Sequence, residues 1–376
     1  MTENIDERSW CVELEPGPDA SQNQCVLCLS RVKLMEHYLQ IILAVLVLWL
    51  IVPPLVSALP KKRWRARPPR DVKSPVLALN QLAQSSESVN AFNYEEAFSR
   101  TLGWITDAEL QVLKRSRVAI GGLGGVGGSH ALTLARLGVG RFTLADMDTF
   151  DWPNMNRQAG CFGSTIGKPK CETLARMLAD INPEIQFTLM PNGVDESNIE
   201  QFLDGVDLYV DSYDLFALSI RRRTFQRCRE LGIPAITAAP VGFGTAFMCF
   251  LPDGMSFEEY FDFASVSAPH EQILKFLLGV SPSMLQFSYL ADPSRVNLPK
   301  EKVCSTSVGI EMSAGVAAAN ALKILLGRGD VISAPSGVHF DAYRNKLAIT
   351  WRPWGNKNPI QKILFWVVKT FRAPKD

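Results

Sequence analysis

A glycine-rich turn between two apolar stretches constrains the fold more than any other feature of this sequence. A short apolar run, Val118 to Ile120, leads into the glycines, and apolar residues at helical spacing follow them. Glycines let the backbone approach a phosphate, the N-terminus of the next helix attracts it, and an acid after the second strand accepts from a ribose hydroxyl. A tight strand-to-helix turn without a ligand is the alternative. The predicted nucleotide-binding residues are Gly122, Gly124, Gly125, Gly127 and Asp146.

Short apolar strands alternate with helices beyond this turn. The predicted strands lie at 185–190, 208–211 and 235–237, and the predicted helices at about 170–180, 197–203 and 216–231. Such alternation is typical of a mostly parallel sheet covered by helices on both faces. The sequence therefore predicts an α/β, Rossmann-like, doubly wound sheet.

Two later segments, 242–250 and 337–350, are each predicted to be a strand that extends the sheet in antiparallel fashion. The Ala-rich segment 308–326 is predicted to be a helix packed on the sheet, because Glu311 and Lys323 make it a poor membrane span. The segment 359–371 is apolar with lysines at its margins. It could pack on the domain or lie in a lipid headgroup layer.

One transmembrane helix is predicted before the folded domain, at 37–59. Residues 38–59 carry no charge, and about twenty such residues cross a hydrocarbon layer of about 30 Å. A buried core helix is one alternative. A cleaved signal peptide is another, and it becomes more plausible if translation starts at Met35 instead of Met1.

Basic residues follow the uncharged segment much more densely than they precede it. Lysines and arginines cluster from Lys61 to Lys73, whereas Arg31 and Lys33 stand before the segment. The positive-inside rule then predicts a single-pass protein of the inner (cytoplasmic) membrane with its catalytic domain in the cytoplasm. The predicted organisation is a polar, disordered segment 1–36, the membrane helix 37–59, a basic tether 60–93, the folded domain 94–355 and an amphipathic C-terminal helix 356–376.

Charge and cysteine content argue against nucleic-acid binding, a disulfide framework and a zinc site. The formal net charge of +1 gives no general reason to expect nucleic acid as a partner, and eight cysteines that lie mostly in a reducing compartment predict no disulfide framework. Cys25 and Cys28 form a CxxC pair with Cys11 nearby and no histidine, which makes a complete intramolecular zinc site improbable. The role of that pair stays open.

Four polar motifs follow the glycine turn in a fixed order and spacing. The chain resembles the ThiF/MoeB/HesA superfamily, the bacterial relatives of the ubiquitin-activating enzymes, from about residue 100 to 245 and more weakly to about 327. The motifs are Asp146-x-Asp148, Asn154-x-Asn156-Arg157-Gln158, Gly167-x-Pro169-Lys170 and Asp211-x-x-Asp214.

The resemblance implies an adenylyltransferase, in which ATP and a carboxylate give an acyl-adenylate and pyrophosphate. It implies catalytic roles for Arg157, Lys170, Asp214 and Arg100, with Asp214 as the Mg²⁺ ligand. It also implies a homodimer, in which Arg100 would act either within its own chain or across the interface. Taken one at a time, such charges are usually solvated surface residues. The implied nucleotide-binding residues are Gly122, Gly124, Gly125, Gly127, Asp146, Asp148, Asn156, Arg157 and Lys170.

Three departures from the superfamily's pattern matter. Leu215 follows Asp214 where the superfamily often has asparagine, which puts the geometry of the metal site in question. No CxxC pair lies between Cys161 and Cys304, so zinc is unlikely. Cys304 stands where thioester-forming relatives carry a nucleophile, but a small buried residue is the favoured interpretation because a depressed pKa is only hinted at by nearby lysines.

Three functions remain open at this level. The first is activation of the C-terminus of a ubiquitin-like or sulfur-carrier-like protein. The second is a tRNA threonylcarbamoyladenosine dehydratase-like activity, which is not favoured because no basic stripe is evident beyond the Lys61 to Lys73 cluster. The third is a non-catalytic or NAD-binding module at the membrane.

Overall fold

A computed structural model describes residues 91–298 and 301–372 of the chain. The predicted membrane helix at 37–59, the polar segment before it and Cys25 and Cys28 lie outside the described residues. The organisation predicted for that part of the chain stays a prediction.

Eight strands form a single mixed sheet in the described part of the chain. Their order is β3-β2-β1-β4-β5-β6-β7-β8; the first five strands are parallel and the last three pair antiparallel. The predicted fold class is confirmed. The strands are β1 (Arg117–Gly121), β2 (Arg141–Ala145), β3 (Gln186–Met190), β4 (Leu208–Asp211), β5 (Ala235–Val241), β6 (Gly244–Phe250), β7 (Ser336–Asp341) and β8 (Lys346–Trp351).

Helices connect and cover the strands, and several short 3-10 turns lie between them. The α-helices are α1 (Tyr94–Ala97), α2 (Asp107–Arg115), α3 (Gly125–Arg136), α4 (Lys170–Ile181), α5 (Ile199–Phe202), α6 (Leu218–Leu231), α7 (Phe257–Phe261), α8 (Pro269–Val280), α9 (Ser307–Leu325) and α10 (Pro359–Arg372).

The central parallel strands β1 and β4 are buried on both faces, as a parallel sheet between helices requires. Val118 and Ile120 of β1 belong to the core cluster that includes residues of α3, α4 and α9. Ala119, between them, belongs to the second cluster, with residues of α6, α7 and α8. Because successive side chains of a strand point to opposite faces, the uninterrupted apolar run of β1 supplies both cores.

Helix α9 is long and apolar enough to cross a membrane by length and composition, and half of it is buried in the domain. Its inner face belongs to the core cluster through Ala317, Ala321 and Ile324. Its Ser313 hydroxyl donates to the Thr245 hydroxyl on β6 at 2.9 Å. The prediction that this segment packs on the sheet is confirmed.

The prediction of one strand over 337–350 is wrong, because the chain turns back between β7 and β8. The Asp341 carboxylate accepts the Arg344 N–H at 2.9 Å. Asn345 adopts a left-handed φ of 50°, which asparagine tolerates better than most residues. The segment is therefore a hairpin, and β8 is an edge strand.

His130 lies in α3, fully buried, and neither of its ring nitrogens has a hydrogen-bond partner. Burial lowers its pKa to about 3. As the pH falls below the ordinary value of about 6.5, the unfolded chain binds a proton that the folded chain does not, so acid destabilises the fold.

His130→Leu should remove this pH dependence. We expect wild type to lose roughly 2–3 kcal/mol more unfolding free energy than the variant between pH 7 and pH 4.5. Unfolding of both proteins by denaturant at the two pH values measures the difference. Parallel losses in the two proteins would contradict a buried, neutral histidine.

Candidate nucleotide site

The glycine turn lies at the point where the strand order reverses. β1 lies between β2 and β4, and its last residue, Gly121, pairs with Ala145 on one side and with Asp211 on the other. In open α/β sheets, ligands bind beyond the carboxyl ends of the strands at such a point. The topology thus places the glycine turn, Asp146 and the loop after Asp211 at one edge.

Two of the four glycines are required by backbone contacts. Gly122 has a φ of +84°, and a Cβ there would lie 2.5 Å from the Ser212 carbonyl oxygen. A Cβ on Gly127 would lie 1.9 Å from the Gly122 carbonyl oxygen. Neither contact can relax by a side-chain rotation, so the turn and the loop after β4 are packed backbone to backbone.

Gly124 is different, because the protein itself leaves room beside it. A Cβ at this position would find its nearest neighbour, Gln158 Nε2, at 3.6 Å, an ordinary contact. Its φ is −68° and its ψ of −135° lies outside the α and β regions. The open space beside it leaves room for a ligand that passes close to the backbone.

The two glycines therefore give contrasting predictions. Gly124→Ala should weaken nucleotide binding and cost less stability than Gly127→Ala, which should unfold or strongly destabilise the domain. Thermal unfolding and ATP titration of each variant measure this. A Gly124→Ala protein that binds ATP as tightly as wild type would contradict binding of the phosphates at this turn.

Asp146 ties the glycine turn to the loop after β2. Its carboxylate accepts the Leu123 N–H at 2.6 Å and the Asp148 N–H at 2.8 Å. Burial raises the pKa of Asp146, and the Lys170 ammonium and the two backbone donors counteract that shift. A carboxylate with spare acceptor capacity beside the turn suits a ribose hydroxyl.

Lys170 is buried at 5% exposure, so it is not a solvated surface charge. It opens α4, and its ammonium donates to Asp148 Oδ2 at 2.9 Å. Asp148 is thus the ion-pair partner of Lys170, although 64% of its side chain is exposed. The lysine and Asp146 interact electrostatically, which places a cation beside the turn.

Arg157 is half-buried next to the glycine turn. Its Nη1 donates to the Pro153 carbonyl at 2.8 Å and to Asn156 Oδ1 at 3.0 Å. Its Cδ lies 3.8 Å from the position that a Cβ on Gly125 would take. The planar guanidinium keeps further donors for a phosphate or carboxylate.

Asn156 connects this site to the loop that carries Cys304. Its Nδ2 donates to the Ser305 carbonyl at 3.2 Å, and the Thr306 hydroxyl donates to the Gly242 carbonyl at 2.7 Å. Cys304 is exposed, so its interpretation as a small buried residue is wrong. Two anchored neighbours hold an accessible thiol beside the predicted nucleotide residues.

The loop after β4 is held by a buried ion pair that the sequence analysis did not identify. Asp211 and Arg221 are 2% and 3% exposed, and Arg221 Nε lies 2.9 Å from Asp211 Oδ2. Arg221 also donates to the backbone carbonyls of Tyr213 and Leu215. Between these two carbonyls stands Asp214, which is exposed and accepts the Phe216 N–H at 3.0 Å.

Two buried polar atoms at the turn have no hydrogen-bond partner, Gln158 Oε1 and Ser212 Oγ. Gln158 borders Gly124, and the Ser212 Cβ lies 3.1 Å from the Cβ position of Gly127. A ligand at the turn would satisfy such atoms, since buried polar groups in proteins normally have partners. The motifs contain Gln158, but its burial is not readable from sequence.

Asp214 is an exposed carboxylate at this edge of the sheet that could serve as a ligand of Mg²⁺. The described residues hold no group of three or more His, Cys, Asp or Glu side chains placed to bind a metal. Mg²⁺ usually keeps several waters and takes one or two carboxylates together with substrate phosphates. A single exposed carboxylate fits that chemistry, whereas it would not suit a metal needing an all-protein set.

Arg100 is not brought to the site within one chain. It lies in the 3-10 turn Ser99–Thr101 before β1 and is exposed. None of the ion pairs and hydrogen bonds of the described residues joins its side chain to the glycine turn. Its predicted role across a dimer interface stays a prediction.

Comparison with known proteins agrees with the fold. The sequence profile of the ThiF family matches residues 98–360. The chain is 39% identical over 142 residues to the tRNA threonylcarbamoyladenosine dehydratase of Bacillus subtilis, covering 38% of this chain and 55% of that protein. It is 34% identical over 131 residues to the molybdopterin-synthase adenylyltransferase of Salmonella typhimurium, covering 35% and 52%.

A third relative is the sulfur carrier protein ThiS adenylyltransferase of Escherichia coli. It is 35% identical over 142 residues, which cover 38% of this chain and 56% of that protein. The matches thus span about half the length of these relatives.

Solved structures share the fold at low sequence identity. The crystal structure of E. coli MccB with ATP superposes with a TM-score of 0.53 at 18% identity, covering 72% of this chain and 74% of that one. The structure of PaaA superposes with a TM-score of 0.52 at 17% identity, covering 72% and 76%.

Proposed function

Because the chain belongs to the ThiF family, we propose that it activates a carboxylate with ATP, forming an acyl-adenylate and releasing pyrophosphate. The observation that carries this proposal is the placement of two cations, Lys170 and Arg157, beside a glycine turn that is open to a ligand at Gly124. A nucleotide holder without chemistry, or one for NAD, would need no cation pair there.

Each site residue has its own role in the proposed reaction. Asp146 would orient the ribose, and the backbone at Gly124 would lie along the phosphates. Arg157 and Lys170 would stabilise the charge that grows on the α-phosphate and on the leaving pyrophosphate. Lys170 is already desolvated, so its attraction for a phosphate is stronger than that of an exposed lysine.

Asp214 would hold Mg²⁺, which supplies charge neutralisation at the phosphates. The chain's own contribution is to fix that carboxylate. The Arg221 contacts to the carbonyls on either side of Asp214 orient the loop, and the Phe216 N–H orients one carboxylate oxygen. The remaining oxygen is left for the cation.

The acyl substrate we propose is the C-terminus of a small ubiquitin-like or sulfur-carrier-like protein. The adenylyltransferases among the relatives support this class. The 39% identity to the B. subtilis dehydratase favours a second candidate, modified tRNA carrying a threonylcarbamoyl carboxylate.

Exchange of labelled pyrophosphate into ATP tests the proposal and separates the candidates. The acceptor would be either a small ubiquitin-like or sulfur-carrier-like protein or tRNA carrying threonylcarbamoyladenosine. We expect exchange that depends on the small protein and is lost in Asp214→Ala. Exchange with tRNA alone would select the second candidate. No exchange with either acceptor, together with binding of NAD in preference to ATP, would contradict the proposed activity.

Cys304 gives a separate prediction about the step after adenylation. Cys304→Ala should keep pyrophosphate exchange within about twofold of wild type, because adenylation precedes any attack by a thiol. Exchange assays measure adenylation. A covalent acyl-enzyme band in wild type that disappears on treatment with a thiol would report attack by Cys304. A collapse of exchange in this variant would instead assign the thiol to adenylation.

We also propose that the enzyme works at the cytoplasmic face of the inner membrane, as a homodimer tethered by residues 37–59. The uncharged segment and the basic residues after it support the location. The exposure of Arg100 is compatible with a role in a second copy.

A further inference from the structure

Helix α10 carries apolar side chains on a face that points away from the domain. Ile363, Trp366 and Val367 are 41%, 51% and 38% exposed. Their i, i+3, i+4 spacing places them on one face of the helix. A surface helix of a globular protein normally shows polar residues there, so this stripe needs an explanation.

The opposite face of the helix is fixed to the domain. The Gln361 Nε2 donates to the Leu278 carbonyl at 2.7 Å, and its Oε1 accepts from Arg352 Nη1 at 2.7 Å. Lys369 pairs with Glu271 of α8 at 2.5 Å. At about 100° per residue, the exposed stripe lies roughly 140–240° around the helix from Gln361. The helix therefore cannot rotate to bury the stripe without breaking these contacts.

Positive charge lies on the Gln361 side of the helix, with Lys362 between Gln361 and Trp366 of the stripe. A cavity of about 380 Å³ between α8 and α10 is lined by Lys275, Lys357, Lys362 and Asp262, among others. The Lys275 Nζ lies 2.8 Å from Asp262 Oδ2, so the carboxylate neutralises its charge. Lys357, with 61% of its side chain exposed, lies 4.0 Å from the same carboxylate, and Lys362 is exposed. The cavity thus has an excess of positive charge at its edge, suited to anionic phosphates.

A membrane span before the described domain, if inserted as proposed, would bring a bilayer within reach. The predicted span ends at residue 59 and the described part begins at residue 91. About thirty residues of chain reach at most about 110 Å when fully extended. If the span is inserted as proposed, the bilayer surface is the nearest large apolar and anionic partner.

We propose that α10 lies in the headgroup layer of an anionic bilayer, with Ile363 and Val367 toward the acyl chains and Lys357 and Lys362 on lipid phosphates. Interfacial helices combine an apolar face with flanking basic residues in this way. The domain would then have one fixed orientation on the membrane. This inference rests on the membrane location proposed above and does not depend on the adenylation activity.

Photolabelling of the full-length chain from within the bilayer tests the proposal. The protein is reconstituted in vesicles of phosphatidylcholine and phosphatidylglycerol that contain a lipid with a diazirine on its acyl chain. After irradiation and trypsin digestion, we expect label in the peptide from Ile363 to Lys369. Ile363→Glu with Val367→Glu should lower that label roughly tenfold.

A matched control changes exposed apolar residues elsewhere. Leu347→Glu with Ile349→Glu alters two side chains of β8 that are 58% and 51% exposed, and it should leave the label on α10 unchanged. Label in 38–59 reports insertion of the chain. Absence of label on α10, with or without label in 38–59, would overturn the proposal, as would label that persists in the Ile363→Glu, Val367→Glu protein.

Discussion

Lys170→Met should lower the rate of pyrophosphate exchange by about 10²–10³-fold while the protein stays folded. The ammonium is buried beside the glycine turn and is available to phosphates at little further desolvation cost. Methionine keeps the aliphatic part of the lysine side chain. The carboxylate that loses its partner, Asp148, has 64% of its side chain exposed, so water can solvate it. Exchange assays and thermal unfolding measure the two effects.

A neighbouring lysine provides the control for Lys170. Lys168 is exposed two residues earlier in the same loop, so Lys168→Met makes the same chemical change without removing a buried cation. We expect wild-type exchange from it. Equal rates from the two variants, whether both fast or both slow, would show that Lys170 has no special role at the phosphates.

Arg221→Met should destabilise the fold by about 3–5 kcal/mol, because it leaves the Asp211 carboxylate buried and unpaired. It should also release the carbonyls of Tyr213 and Leu215, so the loop that carries Asp214 loses its orientation. Thermal unfolding of the full-length chain measures the first effect. The Mg²⁺ dependence of pyrophosphate exchange measures the second.

A double substitution identifies the cause of the lost stability. Replacing both partners, as in Asp211→Leu with Arg221→Met, should recover much of the lost stability, because no uncompensated charge remains. The surface pair Arg223 and Glu196 is the matched control, and Arg223→Met should cost less than about 1 kcal/mol. A double variant no more stable than Arg221→Met would mean that packing, and not the ion pair, sets the stability.

The parallel half of the sheet could be predicted from sequence because its strands are continuous apolar runs bounded by turn residues. The glycine turn was predictable because the backbone geometry at Gly122 and Gly127 admits no side chain. The hairpin of β7 and β8 was missed because its four-residue turn contains neither glycine nor proline. A single asparagine, Asn345, takes the left-handed conformation there.

The charged residues of the site were named from sequence, but their environments were not. Lys170 and Arg221 look alike in a sequence, as cations in or near helices, although one borders the glycine turn and the other is half of a buried ion pair. Exposure of Cys304 was likewise hidden, since it depends on contacts of the next residues with Asn156 and Gly242. Such properties arise from contacts between segments distant in the chain.

A structure of the protein with Mg²⁺ and a non-hydrolysable ATP analogue tests the central claim most directly. We predict phosphate oxygens within hydrogen-bond distance of Arg157 and Lys170, the ribose on Asp146, and Asp214 as a ligand of the metal. An analogue bound elsewhere, or phosphates bound at the turn with Arg157 and Lys170 directed away and Asp214 remote from the metal, would contradict the claim.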